Sequence, residues 1–271
     1  MRAVDAENKA SAGKYRSWAL ERSEACILGE RAYWERVYAA ERREWEESDV
    51  VGDDWFAEHT ATRLGAWLVA MCGEGRERVR LLDVGCGNGS FLMQLAREHG
   101  FRHLFGVDYS ESAVALARSM WAKRMSSANG ELAQAVFTVG DVRGYVPPTA
   151  DGRVDVLHDK GTLDAVALQD GGAWVDAYLQ RCLWVWLGAQ PGSKLVITSC
   201  NFTAEELRAQ VERAARASPS DTLGVECGRI LELRELSDPP QYPVLEYAGQ
   251  RGSPVVTLGW RWECREKPAA G

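Results

Sequence analysis

Over residues 29–47, Trp34, Val37, Tyr38 and Trp45 recur near helical spacing among Glu and Arg, which predicts an amphipathic helix. Gly52 interrupts the pattern. A second apolar stripe of Phe56, Leu64, Trp67, Leu68 and Met71 predicts another helix, ended by Gly73 and Gly75. From Val79 onward, short apolar runs alternate with amphipathic stretches. The runs 79–84, 103–107, 135–139, 154–158 and 194–199 predict five strands. Between them the spacing predicts a helix capped by Asn88 and carrying Phe91, Leu92, Leu95 and Ala96, then one from Ser110 to about Met125. A third spans 174–187 with Val175, Tyr178, Leu179, Cys182 and Trp186 inward, and Thr203-Ala-Glu-Glu206 opens the next with a capping box. Strands alternating with crossover helices imply a mostly parallel sheet covered on both faces. The end of the chain differs. Val256, Leu258, Trp260 and Trp262 alternate with Val255, Thr257, Gly259 and Arg261, and with a strand near 228–233 they predict an antiparallel pair. Pro239, Pro240 and Pro243 make the intervening segment a loop.

Composition narrows the function classes. An apolar share of 46% over 271 residues suits one sizeable core with an N-terminal extension. No apolar run is long enough to span a bilayer, and the polar start, with Asp5, Glu7 and Lys9, lacks the apolar centre of a secretory signal. Seven cysteines without a Cys-x-x-Cys pair disfavour a disulfide framework and a zinc site, and fit a reducing compartment. The net charge of −7 repels nucleic-acid backbones and favours a basic partner. No residue pattern suggests a metal or a covalent nucleophile.

The stretch Leu81-Leu-Asp-Val-Gly-Cys-Gly-Asn-Gly89 sets three alternating glycines between a strand and a helix. Such a turn lets a ligand lie against the backbone, and the exposed amides at the helix start suit an anionic group. A dinucleotide fingerprint needs a last glycine where this chain has Ser90. Gly85-x-Gly87-x-Gly89 behind Asp83 instead matches a loop that takes S-adenosyl-L-methionine, with Asp83 orienting the loop or accepting from the ammonium. Asp108 ends the second strand 19 residues past Gly89, where a carboxylate can accept from both ribose hydroxyls; Tyr109 can pack on the adenine, and a helix cap with Ser110 is the alternative role for Asp108. Gly140-Asp141-Val142 follows the third strand, placing Asp141 to accept from the adenine amine and Val142 to line the ring.

The fourth predicted strand runs into His158-Asp159-Lys160-Gly161, the point that faces a transferred methyl group. Asp159 can steer a lysine ammonium, and Lys160 can pair with Asp164 four residues on. Trp55 and Phe56, with Trp34 and Tyr38, are available for an aromatic lid, whereas Trp67, Trp174, Trp186, Trp260 and Trp262 fall on apolar stripes and read as core.

Residues 28–263 resemble the lysine methyltransferases that modify translation elongation factor 1-alpha, the elongation factor 1-alpha lysine methyltransferase 2 group. The carriers are Leu28-Gly-Glu-Arg-Ala-Tyr-Trp-Glu-Arg-Val-Tyr38 with Glu41, Trp55-Phe56, the 83–89 loop, Gly106-Val-Asp-Tyr-Ser110, Asp159-Lys-Gly-Thr-Leu-Asp-Ala165 and Ile197-Thr-Ser-Cys-Asn-Phe-Thr203. The chain departs from that pattern at Ala57-Glu58-His59 and at Tyr247-Ala-Gly249. The resemblance implies an α/β, Rossmann-like class I methyltransferase: a mostly parallel seven-stranded sheet with an antiparallel C-terminal pair and a helical N-terminal extension. Residues 1–75 would form the extension and cofactor lid, and 76–271 the methyltransferase domain. The implied cofactor is S-adenosyl-L-methionine, held by Asp83, Gly85, Cys86, Gly87, Asn88, Gly89, Asp108 and Asp141; Trp34, Tyr109, Ser110, Gly140, Val142, Asp159 and Lys160 are further expected beside it. Asp159, Asn201 and Trp55 would border the acceptor channel. The implied protein substrate is elongation factor 1-alpha, met by a monomer in the cytoplasm with no direct nucleic-acid or membrane contact. A small-molecule methyltransferase and a non-catalytic cofactor-binding scaffold are the competing readings.

Overall fold

The computed structural model describes residues 27–52, 56, 58–125, 133–217, 229–243, 245–247 and 250–266. Helix α1 (Arg31–Ser48) buries Trp45, whose indole donates to the Ser119 hydroxyl, and it ends at Asp49 in the left-handed conformation, whose N–H returns to the Trp45 carbonyl. Helix α2 (Glu58–Cys72) buries Leu64, Trp67 and Leu68 and stops at Gly73, as its sequence predicts.

The chain then lays down β1 (Arg80–Val84), α3 (Ser90–His99), β2 (His103–Asp108), α4 (Glu111–Met125) and β3 (Gln134–Val139). It continues through β4 (Val156–Lys160), α5 (Thr162–Leu168), α6 (Val175–Gln180), β5 (Lys194–Ser199) and α7 (Ala204–Arg216). β6 (Arg229–Glu235), β7 (Leu245–Tyr247), β8 (Gln250–Gly252) and β9 (Val256–Glu266) follow. The main sheet has the order β3-β2-β1-β4-β5-β9-β6, its first five strands parallel and β9 antiparallel to both neighbours. This is the expected Rossmann-like arrangement. Strand order reverses between β1 and β4, which opens a crevice at their C-terminal ends where such sheets bind ligands.

Alternation along the strands splits the core. Leu82, Leu157, Leu195 and Ile197 pack with Tyr178, Trp186 and Leu207 on one face, while Leu81, Leu104, Val156 and Val196 pack with Leu64, Leu92 and Val114 on the other. Each fully buried leucine contributes about 1.5–3 kcal/mol. Gly259 of β9 lets α2 approach: an added Cβ there would stand 2.8 Å from the Trp67 ring.

Four features depart from the sequence reading. β4 begins and ends two residues later than predicted, so Asp159 and Lys160 lie in the strand rather than beyond it. An unpredicted short helix, α5, starts directly after Gly161. The helix expected over 174–187 changes after Gln180 into a π-type segment, Arg181–Trp186, and Trp174 at its start is 38% exposed instead of core. The proline-rich segment is followed by the small β7–β8 hairpin, a pairing too short to show a period.

Candidate active site

β1 ends at Val84, and the chain turns through Gly85, Gly87 and Gly89, each with positive φ, into α3. Neighbours close on this turn from three sides. A Cβ on Gly85 would stand 2.0 Å from Thr162 Oγ1 of α5, and one on Gly87 2.3 Å from the Tyr38 hydroxyl of α1. Gly89 faces inward, against Phe137 and Ala117. Asn88 Oδ1 accepts from the Ser90 N–H, so it supports the start of α3 from one residue before the cap, which is Gly89.

Asp108, buried at the end of β2, braces the turn. One carboxylate oxygen accepts from the Gly87 N–H at 3.0 Å and the other from the Ser110 N–H at 2.9 Å. Burial pushes its pKa up to about 6 against the pull of these two donors. Asp83 accepts from His158 Nδ1 at 2.7 Å, and both side chains are buried. Two glutamates pin α1 over the same corner. Glu41 accepts from the Gly52 N–H and from Asn88 Nδ2, and Glu35 accepts from the hydroxyls of Ser110 and Ser112. Trp34 donates to the Leu28 carbonyl, and its ring stacks on Tyr38 at 6.2 Å.

A cavity of about 860 Å³ lies between α1 and the strand ends. Trp34, Asp83, Gly85, Cys86, Gly87, Asn88, Asp108 and Tyr109 line one end, and Phe56, Lys160, Asp164, Cys200 and Asn201 the other. A second cavity of about 360 Å³ shares Tyr109, Thr162 and Ala165 with the first and is lined further by Asp141, Val142 and Trp174. The Tyr109 hydroxyl has no hydrogen-bond partner among the described residues. Asp141 is gripped by the Arg143 guanidinium, whose hydrogen bonds draw its pKa below the usual carboxylate value.

Four residues expected at the ligand face elsewhere. Gly89, Gly140 and Ser110 do not line either cavity: a Cβ on Gly89 would meet Phe137, one on Gly140 would meet Tyr145 and Val107, and the Ser110 hydroxyl is spent on Glu35. Asp159 is the main correction. Because β4 runs further than predicted, strand alternation sends His158 to the α3 side, against Phe91, and Asp159 to the α6 side. There its carboxylate accepts from the Thr162 and Leu163 N–H groups and from the Tyr178 hydroxyl, with no exposure, and burial lifts its pKa to about 7. Its carboxylate fastens the start of α5 and does not line the cavity. Trp55 lies outside the described residues.

The carboxylate that does line the acceptor end is Asp164, 7% exposed. It accepts from the Ser199 hydroxyl, the Cys200 N–H at 2.9 Å and the Cys200 thiol at 3.1 Å, and so fixes the turn that presents Asn201. Burial raises its pKa above the usual carboxylate range. Sequence spacing offers Asp164 only as a partner for Lys160. Lys160 instead stands over the Phe56 ring at 5.0 Å. The cue was the spacing Asp159-Lys-Gly-Thr-Leu-Asp164, but choosing between the two carboxylates required knowing where the strand ends.

The methyltransferase domain family matches residues 76–249. EEF1A lysine methyltransferase 2 of Danio rerio is 32% identical over 183 residues, which cover 66% of this chain and 72% of the relative. Protein-lysine N-methyltransferase efm4 of Schizosaccharomyces pombe is 31% identical over 66% of this chain and 78% of the relative. Protein-lysine N-methyltransferase EFM4 of Saccharomyces cerevisiae is 28% identical over 86% and 93%. Among solved structures, the magnesium protoporphyrin IX methyltransferase of Synechocystis PCC 6803 with bound SAH aligns over 85% of this chain and 96% of that one. Its TM-score of 0.50 and 14% identity show a likeness of fold alone. Sequence, sheet order and glycine turn agree, and the chain belongs to the methyltransferase domain family, in the group that contains EEF1A lysine methyltransferase 2 and EFM4.

Proposed function

We propose that this chain transfers methyl groups from S-adenosyl-L-methionine to a lysine side chain of translation elongation factor 1-alpha. The observation that carries the reading is one continuous cavity with a glycine turn and Asp108 at one end and Asp164 beside Asn201 at the other. Support for the protein substrate comes from the relatives, which are named for lysine methylation and, in the animal ones, for EEF1A.

The turn fits the donor. Gly85 and Gly87 leave room for backbone approach that a side chain would fill, and the start of α3 offers N–H groups to a carboxylate. Asp83 accepts from the ammonium, the remaining lone pairs of Asp108 from the ribose hydroxyls, and Tyr109, Asp141 and Val142 border the base. When bound, S-adenosyl-L-methionine supplies a methyl carbon made electrophilic by its sulfonium. Trp34 and Lys160 both line the same cavity.

A lysine attacks only as the neutral amine, and with a reference pKa near 10.4 its deprotonation costs about 4.6 kcal/mol at pH 7. The acceptor end works against this cost by desolvation. Phe56, Tyr242 and Val255 form a buried apolar cluster against Cys200, which disfavours the ammonium form. Asp164 draws the incoming cation, and Asn201 orients the nitrogen. An acceptor-channel role for Trp55 rests on the sequence resemblance alone. Residues 1–75 act as the lid over the domain of 76–271, and the protein works as a monomer in the cytoplasm.

Incubation with labelled donor and purified elongation factor tests the reading. Label should enter the factor and disappear when one particular lysine is replaced by Arg, with mass spectrometry locating the site. An unlabelled factor, or label undiminished in every single replacement, would refute the substrate assignment.

A further inference from the structure

His158 takes no part in the function proposed above, yet it sits directly under the donor end of the cavity. It is fully buried in β4 and stands opposite Asp83 in the register between β1 and β4. Its Nδ1 lies 2.7 Å from Asp83 Oδ1, while Nε2 has no hydrogen-bond partner among the described residues. Phe91 of α3 covers the ring at 4.5 Å. These contacts fix the tautomer: Nδ1 carries the proton, because a carboxylate oxygen at that distance only accepts. On the other side, Asp83 pairs in register with Gly106, which offers no side chain to hold it. Its side-chain orientation therefore rests on His158. Asp83 lines the large cavity, whereas His158 does not.

We propose that His158 is a positioning residue. By donating to Oδ1 it turns Oδ2 of Asp83 toward the cavity, and so makes Asp83 the carboxylate that reads the ammonium of the donor's amino-acid end. The proposal rests on the donor reading of this cavity, and its test separates the two.

Titration calorimetry compares S-adenosylhomocysteine with 5′-methylthioadenosine, which keeps the adenosine and thioether but lacks the amino-acid end. Two variants of similar polarity are used. In His158→Asn the side-chain amide falls close to Nδ1 and keeps the donor; in His158→Gln it falls close to Nε2 and does not. The expected result is that His158→Gln binds S-adenosylhomocysteine about tenfold more weakly, the loss of one charge-assisted hydrogen bond. His158→Asn should stay within about threefold of the parent, and 5′-methylthioadenosine should change by less than about twofold in both. Parallel loss of both ligands would mean that His158 only supports the fold, and unchanged affinity for S-adenosylhomocysteine in His158→Gln would also overturn the proposal. Asp83→Asn supplies an independent check that does not disturb His158 packing: it should show the same selective loss, and equal weakening of both ligands would count against an ammonium contact. If the parent protein binds neither ligand, the donor reading itself fails and this inference with it.

Discussion

The two ends of the cavity are built in opposite ways. The donor end is centred on a local element, one turn between β1 and α3, braced by a carboxylate on the adjacent strand through two backbone amides and covered by α1. The acceptor end is assembled from distant stretches. Phe56 precedes α2, Lys160 and Asp164 flank the β4–α5 junction, Asn201 follows β5, and Tyr242 and Val255, which pack with Phe56, come from the connection between β6 and β9. A backbone-defined site is rigid and depends on few side chains, so it suits the ligand common to a whole family. A site gathered from several loops changes shape with any of them, and that is where selectivity for an acceptor belongs. The departures Ala57-Glu58-His59 and Tyr247-Ala-Gly249 both fall in sequence near acceptor-end segments.

The strongest way to break the donor end is Gly87→Arg. Its Cβ would collide with Tyr38 at a positive φ, and the longer side chain would fill the turn. S-adenosylhomocysteine binding should become undetectable by calorimetry while the far-ultraviolet circular dichroism stays that of a folded protein; retained affinity would contradict the placement of the turn. At the acceptor end, Asp164→Asn should lower kcat about 100-fold with the Kd for S-adenosylhomocysteine changed less than about threefold. A loss of donor affinity of similar size would erase the distinction between the two ends.

Asp159→Ala tests which carboxylate belongs to the cavity. It strands the Thr162 and Leu163 amides and the Tyr178 hydroxyl, so chemical denaturation should show a loss of about 2–4 kcal/mol with donor affinity intact. Unchanged stability with abolished turnover would return Asp159 to the acceptor site.

A smaller effect concerns pH. Asp108 has a folded-state pKa near 6, above the unfolded carboxylate value, so its protonated form stabilises the fold fully below about pH 4, and that contribution is lost as pH rises through about 6. Ribose hydroxyls are accepted by the ionised form. Affinity for S-adenosylhomocysteine should therefore strengthen about tenfold between pH 5 and 7, and the slope should vanish in Asp108→Asn. A flat profile in the parent protein would exclude Asp108 from the ribose contact.

The smallest expected change lies outside both ends. Thr203→Ala removes half of the capping box that opens α7 and should cost about 1 kcal/mol without altering binding or turnover.

Much of this molecule is written locally in its sequence. Alternating apolar runs and helical stripes determine the five parallel strands and most of the helices, because burial on a sheet face or helix stripe imposes a fixed period. Thr203 and Glu206 form the predicted capping box, since its two hydrogen bonds close within one helical turn. The glycine turn and Asp108 were legible for the same reason: positive φ within a short stretch leaves glycine as the fitting residue, and strand ends in a parallel sheet come together by topology. Tertiary structure alone decided the rest. A shift of β4 by two residues along the chain reversed the roles of neighbouring side chains, burying Asp159 under α6 and leaving Asp164 at the cavity. The π-type segment after α6 and the exposure of Trp174 also escaped the helical period, as did the pairing of Glu35 and Glu41 with the strand ends. Periodicity records which face a residue occupies. It does not record where an element stops or which distant group comes to meet it, and at this site those two facts decide which carboxylate lines the cavity.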